Sequence, residues 1–369
     1  MKVTHVEIIP VSIPMKKPFG ISGGFIKNLD HIIVKLHTSN GLIGYGEGIP
    51  LPAYSEETQE EVYFAIKNFL ANCVVNEEPM NIERIIAKMD KAVPGHNYAK
   101  AAIEFAIWDL IGKDLKMPVY KLIGGLYRDK VKLAWSIGYA SVEEMVNEAV
   151  EKVKEGYRVI KVKIGRGEKI DLEVVKSVRE AIGDSIPLRV DANQGYSLDV
   201  AFKILRKMEQ YNLQLIEQPI NKYDLEGMAR LARALDTPIL ADESVFGPDE
   251  AMRVIKANAA DIINIKIAKP GGIYNAKKVA AIAESAGIPC EVGSNFEFAI
   301  GTAAGVHLAV STRNIVYECE LIGPCYMVDD VSKEPYLPKN GYLELPKGNG
   351  LGIEVDEEKL EKYKVEIKP

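Results

Sequence analysis

VIKVKIG (159–165), IPLRVDANQ (186–194), LQLIEQP (213–219), PILADES (238–244) and IINIKIAKPGG (262–272) share one design, an apolar run that carries charged residues toward its end. Asp191, Glu217 and Asp242 stand 26 and 25 residues apart. That is about the length of one strand, one loop and one helix in a repeating βα barrel. In such a barrel the C-terminal ends of all strands open into one mouth, so the three carboxylates converge there. Clustered oxygen ligands suit a hard cation, Mg²⁺ or Mn²⁺. Lys161 and Lys163 continue the spacing upstream and Lys266 continues it downstream, which places lysines on either side of the acids.

Working outward, VKLAWSI, PCEVGS and IVYECEL bring the strand candidates to eight, with helical segments such as SVEEMVNEAVEKVKEG and IYNAKKVAAIAESAG between them. Pro187, Pro238 and Pro289 stand at strand entrances, where a missing N–H costs little. The pattern predicts an α/β barrel. Ahead of it, residues 1–48 alternate as an antiparallel meander with a turn at Ser39-Asn40-Gly41. Residues from about 55 to 122 read as helices. The clearest is NYAKAAIEFAIWDLIGKDL, with Asn97 as the expected N-cap and Ala101, Phe105, Trp108 and Ile111 on an apolar stripe. The tail, with its Pro and Gly turns, is expected to return to the meander. The domains predicted are an α+β cap over 1–125, a barrel over 126–324, and a segment over 325–369 that rejoins the cap.

Composition removes several function classes. A net charge of −6 and a pI near 5.6 give a nucleic-acid role no electrostatic support. No apolar run approaches a membrane span, and MKVTHVEIIPVSIPM reads as a strand, not a signal peptide. Cys73, Cys290, Cys319 and Cys325 form no C-x-x-C pair and read as reduced thiols in a cytoplasmic protein. The five histidines lack ligand spacing and read as structural, as do Trp108, Asp109 and the Gly95–Lys100 helix entrance.

Residues two apart on a strand face the same side. Lys161 and Lys163 therefore project together, as do Asp191 and Asn193. Repulsion between the two ammoniums, together with burial, is expected to lower the pKa of one lysine and fit it for general-base work. Lys266, roughly across the barrel, would meet the opposite face of a substrate. Metal plus opposed lysines implies proton transfer alpha to a carboxylate, through an enediolate whose charge the cation neutralises. A lone acid at a strand end is commonly a helix cap or a salt bridge, but three in register with paired lysines point to a site.

The set Lys161-x-Lys163, Asp191-x-Asn193, Glu217-Gln218-Pro219, Asp242-Glu243-Ser244 and Lys266, followed by Lys269-Pro270-Gly271-Gly272, resembles the enolase superfamily. Within it the likeness is to the muconate lactonizing (muconate cycloisomerase) subgroup. It runs over nearly the whole chain and includes PFGISGG at 18–24 and Glu320-Leu321-Ile322-Gly323-Pro324. The superfamily's pairing of a Lys or His base with Mg²⁺ is a known pattern. The resemblance implies a modified TIM barrel, (β/α)7β, with an α+β capping domain. It implies metal ligation by Asp191, Glu217 and Asp242, with Lys163 and Lys266 as the acid/base pair. Lys161 would sit by the substrate carboxylate, with Glu320, Ile21 and Asn193 as further substrate contacts. It also implies a small-molecule carboxylate substrate and a homo-oligomer.

Substrate identity is expected from the cap loop Phe19–Phe25 and the last strand. Dipeptide epimerases of this subgroup carry an Asp-x-Asp pair on that strand, which grips an ammonium. Here the matching positions are Glu320 and Ile322, which favours a muconate-like cycloisomerase. The alternatives are racemisation or epimerisation of dipeptides, N-acylamino acids or proline derivatives, and an o-succinylbenzoate synthase-type dehydration. From other classes there remain a metal-free Schiff-base lyase using a barrel lysine and a non-catalytic binding barrel.

Overall fold

A computed structural model of the chain describes residues 1–367. The N-terminal meander consists of β1 (Val3–Ile21), β2 (Gly24–Thr38) and β3 (Ile43–Gly48), antiparallel and in the order β1-β2-β3. The turn expected at Ser39–Gly41 links β2 to β3, with Gly41 at φ 83°. The helix Asn97–Asp114 lies directly on β3. A Cβ at Gly46 would stand 1.8 Å from the Ala102 carbonyl oxygen, so the strand glycine is what lets helix and sheet backbones touch.

After two short strand pieces, β4 (Lys130–Lys132) and β5 (Ala134–Ile137), the chain winds a parallel sheet. It continues through β6 (Val159–Lys163), β7 (Leu188–Asp191), β8 (Leu213–Glu217), β9 (Ile239–Ala241), β10 (Ile262–Ile265) and β11 (Cys290–Val292). The order is sequential from β5 to β11. IVYECEL fills the eighth place as a bridging segment, not a regular strand. Its Glu320 N–H donates to the Val292 carbonyl at 2.8 Å on one side, and its Cys319 carbonyl accepts from the Ala134 N–H at 2.9 Å on the other. The ring therefore closes. The result is a modified TIM barrel with an α+β cap.

The helices between strands follow their sequence signals. Val142–Lys154, for example, begins at Ser141 with a capping box to Glu144. Ala299–Ser311, with no polar face, is buried throughout. The tail does more than rejoin the meander. Its helix Glu357–Tyr363 reaches Lys35 (2.9 Å) and Tyr45 (2.7 Å) through Glu357. Before that, β12 (Tyr342–Glu344) pairs antiparallel with β4, next to the first barrel strand. Among the described residues no helix is long and apolar enough to cross a membrane, and the four cysteines are free.

Candidate active site

The barrel interior is layered by strand alternation. Leu215, Leu240 and Ile262 form a small apolar cluster of their own, with Tyr317 packed against it. Two residues further along the same strands, the interior positions become Glu217, Asp242 and Asn264. On β7 the matching pair is Arg189 and Asp191. Arg189 is wholly buried and fully paired, to Glu291 (2.7 Å), Glu318 (2.9 Å) and the Gln214 side-chain oxygen (2.7 Å). A buried guanidinium is tolerable only with such a complete set of partners.

Above this layer the strand register sets the site. Lys163, Asp191 and Glu217 are Cα partners across β6, β7 and β8, so their side chains leave the sheet on one face. Lys163 Nζ lies 2.5 Å from Asp191 and 2.8 Å from the Asn193 side-chain oxygen. Lys161 Nζ lies 2.6 Å from Glu217, 2.5 Å from Glu320 and 3.5 Å from Asp191. Across the mouth, Lys266 Nζ is 2.8 Å from Asp242 and 3.8 Å from the centre of the Tyr54 ring. Lys269 holds the other Asp242 oxygen at 2.7 Å, and the Tyr54 hydroxyl donates to it at 2.6 Å. β6 and β10 are the second and sixth of eight barrel positions, which puts Lys163 and Lys266 on opposite sides.

The electrostatics correct one expectation. Burial works to lower the Lys161 pKa, but the facing carboxylates of Glu217, Glu320 and Asp191 overcome it and hold the ammonium well above its ordinary value. For Lys266 too, burial is overcome, by Asp242, Glu217 and Glu243, and its pKa is raised. At Lys161 repulsion from a neighbouring ammonium is thus the smaller effect, because three carboxylates face it within 3.5 Å. Lys269, next to Lys266, has its pKa lowered, because there burial wins. The acids divide in the same way. Burial would raise the Asp242 pKa, but Lys266 and Lys269 bring it below the ordinary carboxylate range. Burial and the neighbouring Asp191 push Glu217 well above that range.

The residues suit a hard cation. The donors are all carboxylate oxygens, and Glu217, Glu291 and Glu320 each place one within 4.8 Å of the others. Oε1 of Glu291 and of Glu320 are buried without a hydrogen-bond donor, a costly state that a cation would relieve. Of the three acids predicted to bind metal, only Glu217 belongs to this closest group. Asp191 and Asp242 stand at the adjacent strand ends, drawn to the lysines. Glu291 was missed in sequence. Its signal is the alternation in PCEVGS, which sends the acid inward, but its meaning depends on ring closure bringing it beside Glu320.

Lys161, Lys163, Lys266, Asn193, Glu320 and Ile21 all line one pocket at the mouth, with Phe19, Leu51, Tyr54, Phe296, Ile322 and Tyr326. The β1–β2 hairpin tip reaches over the barrel: the Ser22 hydroxyl donates to the Asn193 carbonyl at 2.5 Å, and the Gly20 carbonyl accepts from the Tyr139 N–H at 2.9 Å. Phe19, Phe296 and Tyr326 pack edge to face, with ring centres 4.9–5.3 Å apart. Tyr54 and Phe296 were also missed, since nothing local marks either as a site residue. Phe296 does carry a structural mark, a left-handed φ of 64° that the surrounding contacts must sustain.

Comparison with known proteins agrees with this geometry. Residues 3–124 match the family model for the mandelate racemase / muconate lactonizing enzyme N-terminal domain, and residues 144–359 match the enolase C-terminal domain-like model. The chain is 38% identical to an N-succinyl-L-Arg/Lys racemase of Bacillus cereus over 99% of its length and 98% of the relative. The crystal structure of that racemase superposes with a TM-score of 0.96. A hydrophobic dipeptide epimerase of Enterococcus faecalis is 39% identical over 85% of this chain and 89% of its own length. A dipeptide epimerase structure from the same organism, in complex with Mg and L-Leu-L-Tyr, has a TM-score of 0.92. Chloromuconate cycloisomerase CbnB of Cupriavidus necator is 33% identical over 98% of this chain and 99% of its own.

Proposed function

We propose that this chain, which belongs to the mandelate racemase/muconate lactonizing enzyme family of the enolase superfamily, racemises or epimerises the α-carbon of an N-acylated amino acid whose remainder is uncharged and largely apolar. The isomerase class itself is common to the relatives, which are named racemases, epimerases and cycloisomerases. The observation that carries the finer reading is a pair of opposed lysines under an apolar wall. Lys163 and Lys266 face one pocket from opposite sides, and Phe19, Ile21, Leu51, Phe296, Ile322 and Tyr326 give it an apolar share beside the polar Ser136, Ser294 and Asn295. A lysine on each face allows one to remove the α-proton and the other to return it to the opposite face.

Lys161, held by Glu217 and Glu320, would meet the substrate carboxylate. Asp191, Glu217 and Asp242 would hold Mg²⁺, which when bound supplies positive charge against that carboxylate as the proton leaves. Asn193 accepts from Lys163 as Asp191 does and is itself held by Glu243 at 3.1 Å.

The muconate-like reading drawn from Glu320 and Ile322 has weaker support. The relatives of higher identity are a racemase and an epimerase. The cations lining the pocket are Lys161, Lys163 and Lys266, all beside the acids, so the distal carboxylate of a diacid would find no further cation to pair with. Ile322 likewise offers nothing to a free ammonium, which favours an acylated nitrogen over a free dipeptide. The test is α-proton exchange in D₂O followed by NMR on N-acetylphenylalanine, N-succinylphenylalanine, Leu-Tyr and cis,cis-muconate. Exchange should be fastest on N-acetylphenylalanine. Turnover confined to muconate restores the cycloisomerase reading, and exchange confined to Leu-Tyr shows that Glu320 alone suffices for an ammonium.

A further inference from the structure

The two lysines are supported differently. Lys163 is part of β6, which is paired on both sides, to β5 and β7, and the next N–H, of Ile164, donates to the Asp191 carbonyl at 2.8 Å. Lys266 lies one residue beyond the end of β10, in the turn that leads to the helix Ile273–Ser285. That turn is closed on itself, by Lys269 N–H to the Lys266 carbonyl (2.9 Å) and Gly271 N–H to the Ala268 carbonyl (3.0 Å). Its orientation therefore depends on what grips it from outside.

Inside the barrel Lys269 Nζ ties the turn to the Asp242 and Asn264 carbonyls, at 2.6 and 3.2 Å; the grip from outside comes from the cap. On the helix Asn97–Asp114, Asn97 donates its side-chain N–H to the Lys269 carbonyl at 2.7 Å. Seven residues on, two turns along the same face, Glu104 accepts from the Ile273 N–H at 3.0 Å and the Tyr274 N–H at 2.8 Å. These are free N–H groups of a helix first turn, and a carboxylate there also meets the positive end of the helix dipole. Trp108 fixes the carboxylate by donating to it at 2.7 Å. The fit is close: a Cβ at Gly272, whose φ is 122°, would stand 2.3 Å from a Glu104 oxygen. Glu104 is completely buried and does not line the pocket.

We propose that Glu104 is a positioning residue for Lys266: through the first turn of Ile273–Ser285 it sets the turn that carries this lysine, and so governs proton transfer on one face of the substrate and not the other. The inference rests on the reading of Lys163 and Lys266 as an opposed acid/base pair. A carboxylate that merely stabilised the fold would affect both faces alike.

The experiment measures α-proton exchange in D₂O separately from each enantiomer of N-acetylphenylalanine, with Lys163→Ala and Lys266→Ala identifying which enantiomer each lysine serves. Glu104→Gln, which turns one acceptor into an amide facing an N–H, should slow the Lys266-side enantiomer on the order of tenfold to a hundredfold, the scale of a small misplacement of a catalytic group. The other enantiomer should exchange at the parent rate. Equal loss on both enantiomers, or loss on neither, overturns the proposal. If the two lysine variants fail to divide the enantiomers, the opposed-pair reading falls and the proposal with it. Asn97→Ala, which removes one hydrogen bond from the same turn, carries the test if Glu104→Gln does not fold, with a smaller loss on the same enantiomer expected. Backbone hydrogen–deuterium exchange gives a readout without substrate. Residues 266–275 should lose protection in Glu104→Gln while 159–165 keep theirs, and unchanged protection in 266–275 overturns the grip itself.

Discussion

At the residue scale, the pairing of every buried lysine with a carboxylate decides what a substitution does. Lys163 and Lys266 each have an acid within 2.8 Å, so removing either leaves a buried carboxylate short of a partner as well as one face without a base. Lys163→Ala should lower racemisation by at least about a hundredfold, the scale of a general acid–base group. Exchange should survive on one enantiomer only, and the survivor should switch in Lys266→Ala. Loss of the same enantiomer in both variants, measured by NMR in D₂O, would show that the lysines do not divide the faces. The metal assignment has a comparable test. Asp242→Asn should weaken Mg²⁺ binding by at least about a hundredfold, since even partners behind a ligand are worth 10–100-fold, whereas Glu291→Gln should weaken it less. Calorimetry giving the reverse order would make Glu217, Glu291 and Glu320 the ligand set. Sequence brought the principal lysines and acids into view because each is a charge inside an apolar run, an expensive placement that only a site explains. It misjudged the balance around Lys161, because Glu320 and Glu217 reach that lysine from strands distant in sequence.

Elements show a similar division. The strands around the acids were legible because period-two alternation and proline entrances are local signals. The closing segment was read as a full strand, whereas its backbone bonds alternate between β11 and the β4–β5 junction. What a helix face touches is not local, and His307 is an example. The lack of ligand spacing among the histidines reads it as structural, and its contacts are specific. Its Nδ1 accepts from the Tyr120 N–H at 3.2 Å and its Nε2 donates to the Leu351 carbonyl at 3.1 Å, joining the helix Ala299–Ser311 to the cap and the tail. Burial holds its pKa down to about 4. The folded value lies below the unfolded one, near 6.5. The stability it contributes is therefore complete above about pH 6.5 and is lost as pH falls toward 4, by about 3 kcal/mol in all. His307→Gln keeps a donor and an acceptor but does not titrate. The difference in unfolding free energy between parent and variant, measured in urea, should shrink from pH 7 to about pH 4.5. Parallel pH dependences would mean that the imidazole is not held neutral.

For the whole molecule, cap and barrel cannot be separated without exposing core. Fourteen residues of the 18-residue helix Asn97–Asp114 are buried, so it needs partners on every side. β3 supplies one, through Gly44 and Gly46, and the turn after Lys266 supplies another. Asp109 reaches both ways, accepting from the Tyr45 N–H at 3.0 Å and from the Leu351 N–H of the tail at 2.9 Å. Glu47 on β3 adds a second tie: it is 2.8 Å from the buried His31 and accepts from the Phe298 and Gly301 N–H groups of a barrel helix, both at 2.7 Å. Asp330 of the tail accepts from the neighbouring Ala299 N–H at 3.0 Å. Buried carboxylates that end on another unit's N–H groups leave unpaired charge and unpaired donors if the units part. The chain should therefore unfold as one body. Calorimetry in EDTA should give a single endotherm whose calorimetric and van't Hoff enthalpies agree, and a fragment of residues 1–124 should lack a cooperative transition. Two resolved endotherms, or a cooperatively folding 1–124 fragment, would show that the cap stands alone. In that case the grip of its helix on the Lys266 turn would be a contact between independent domains, free to open.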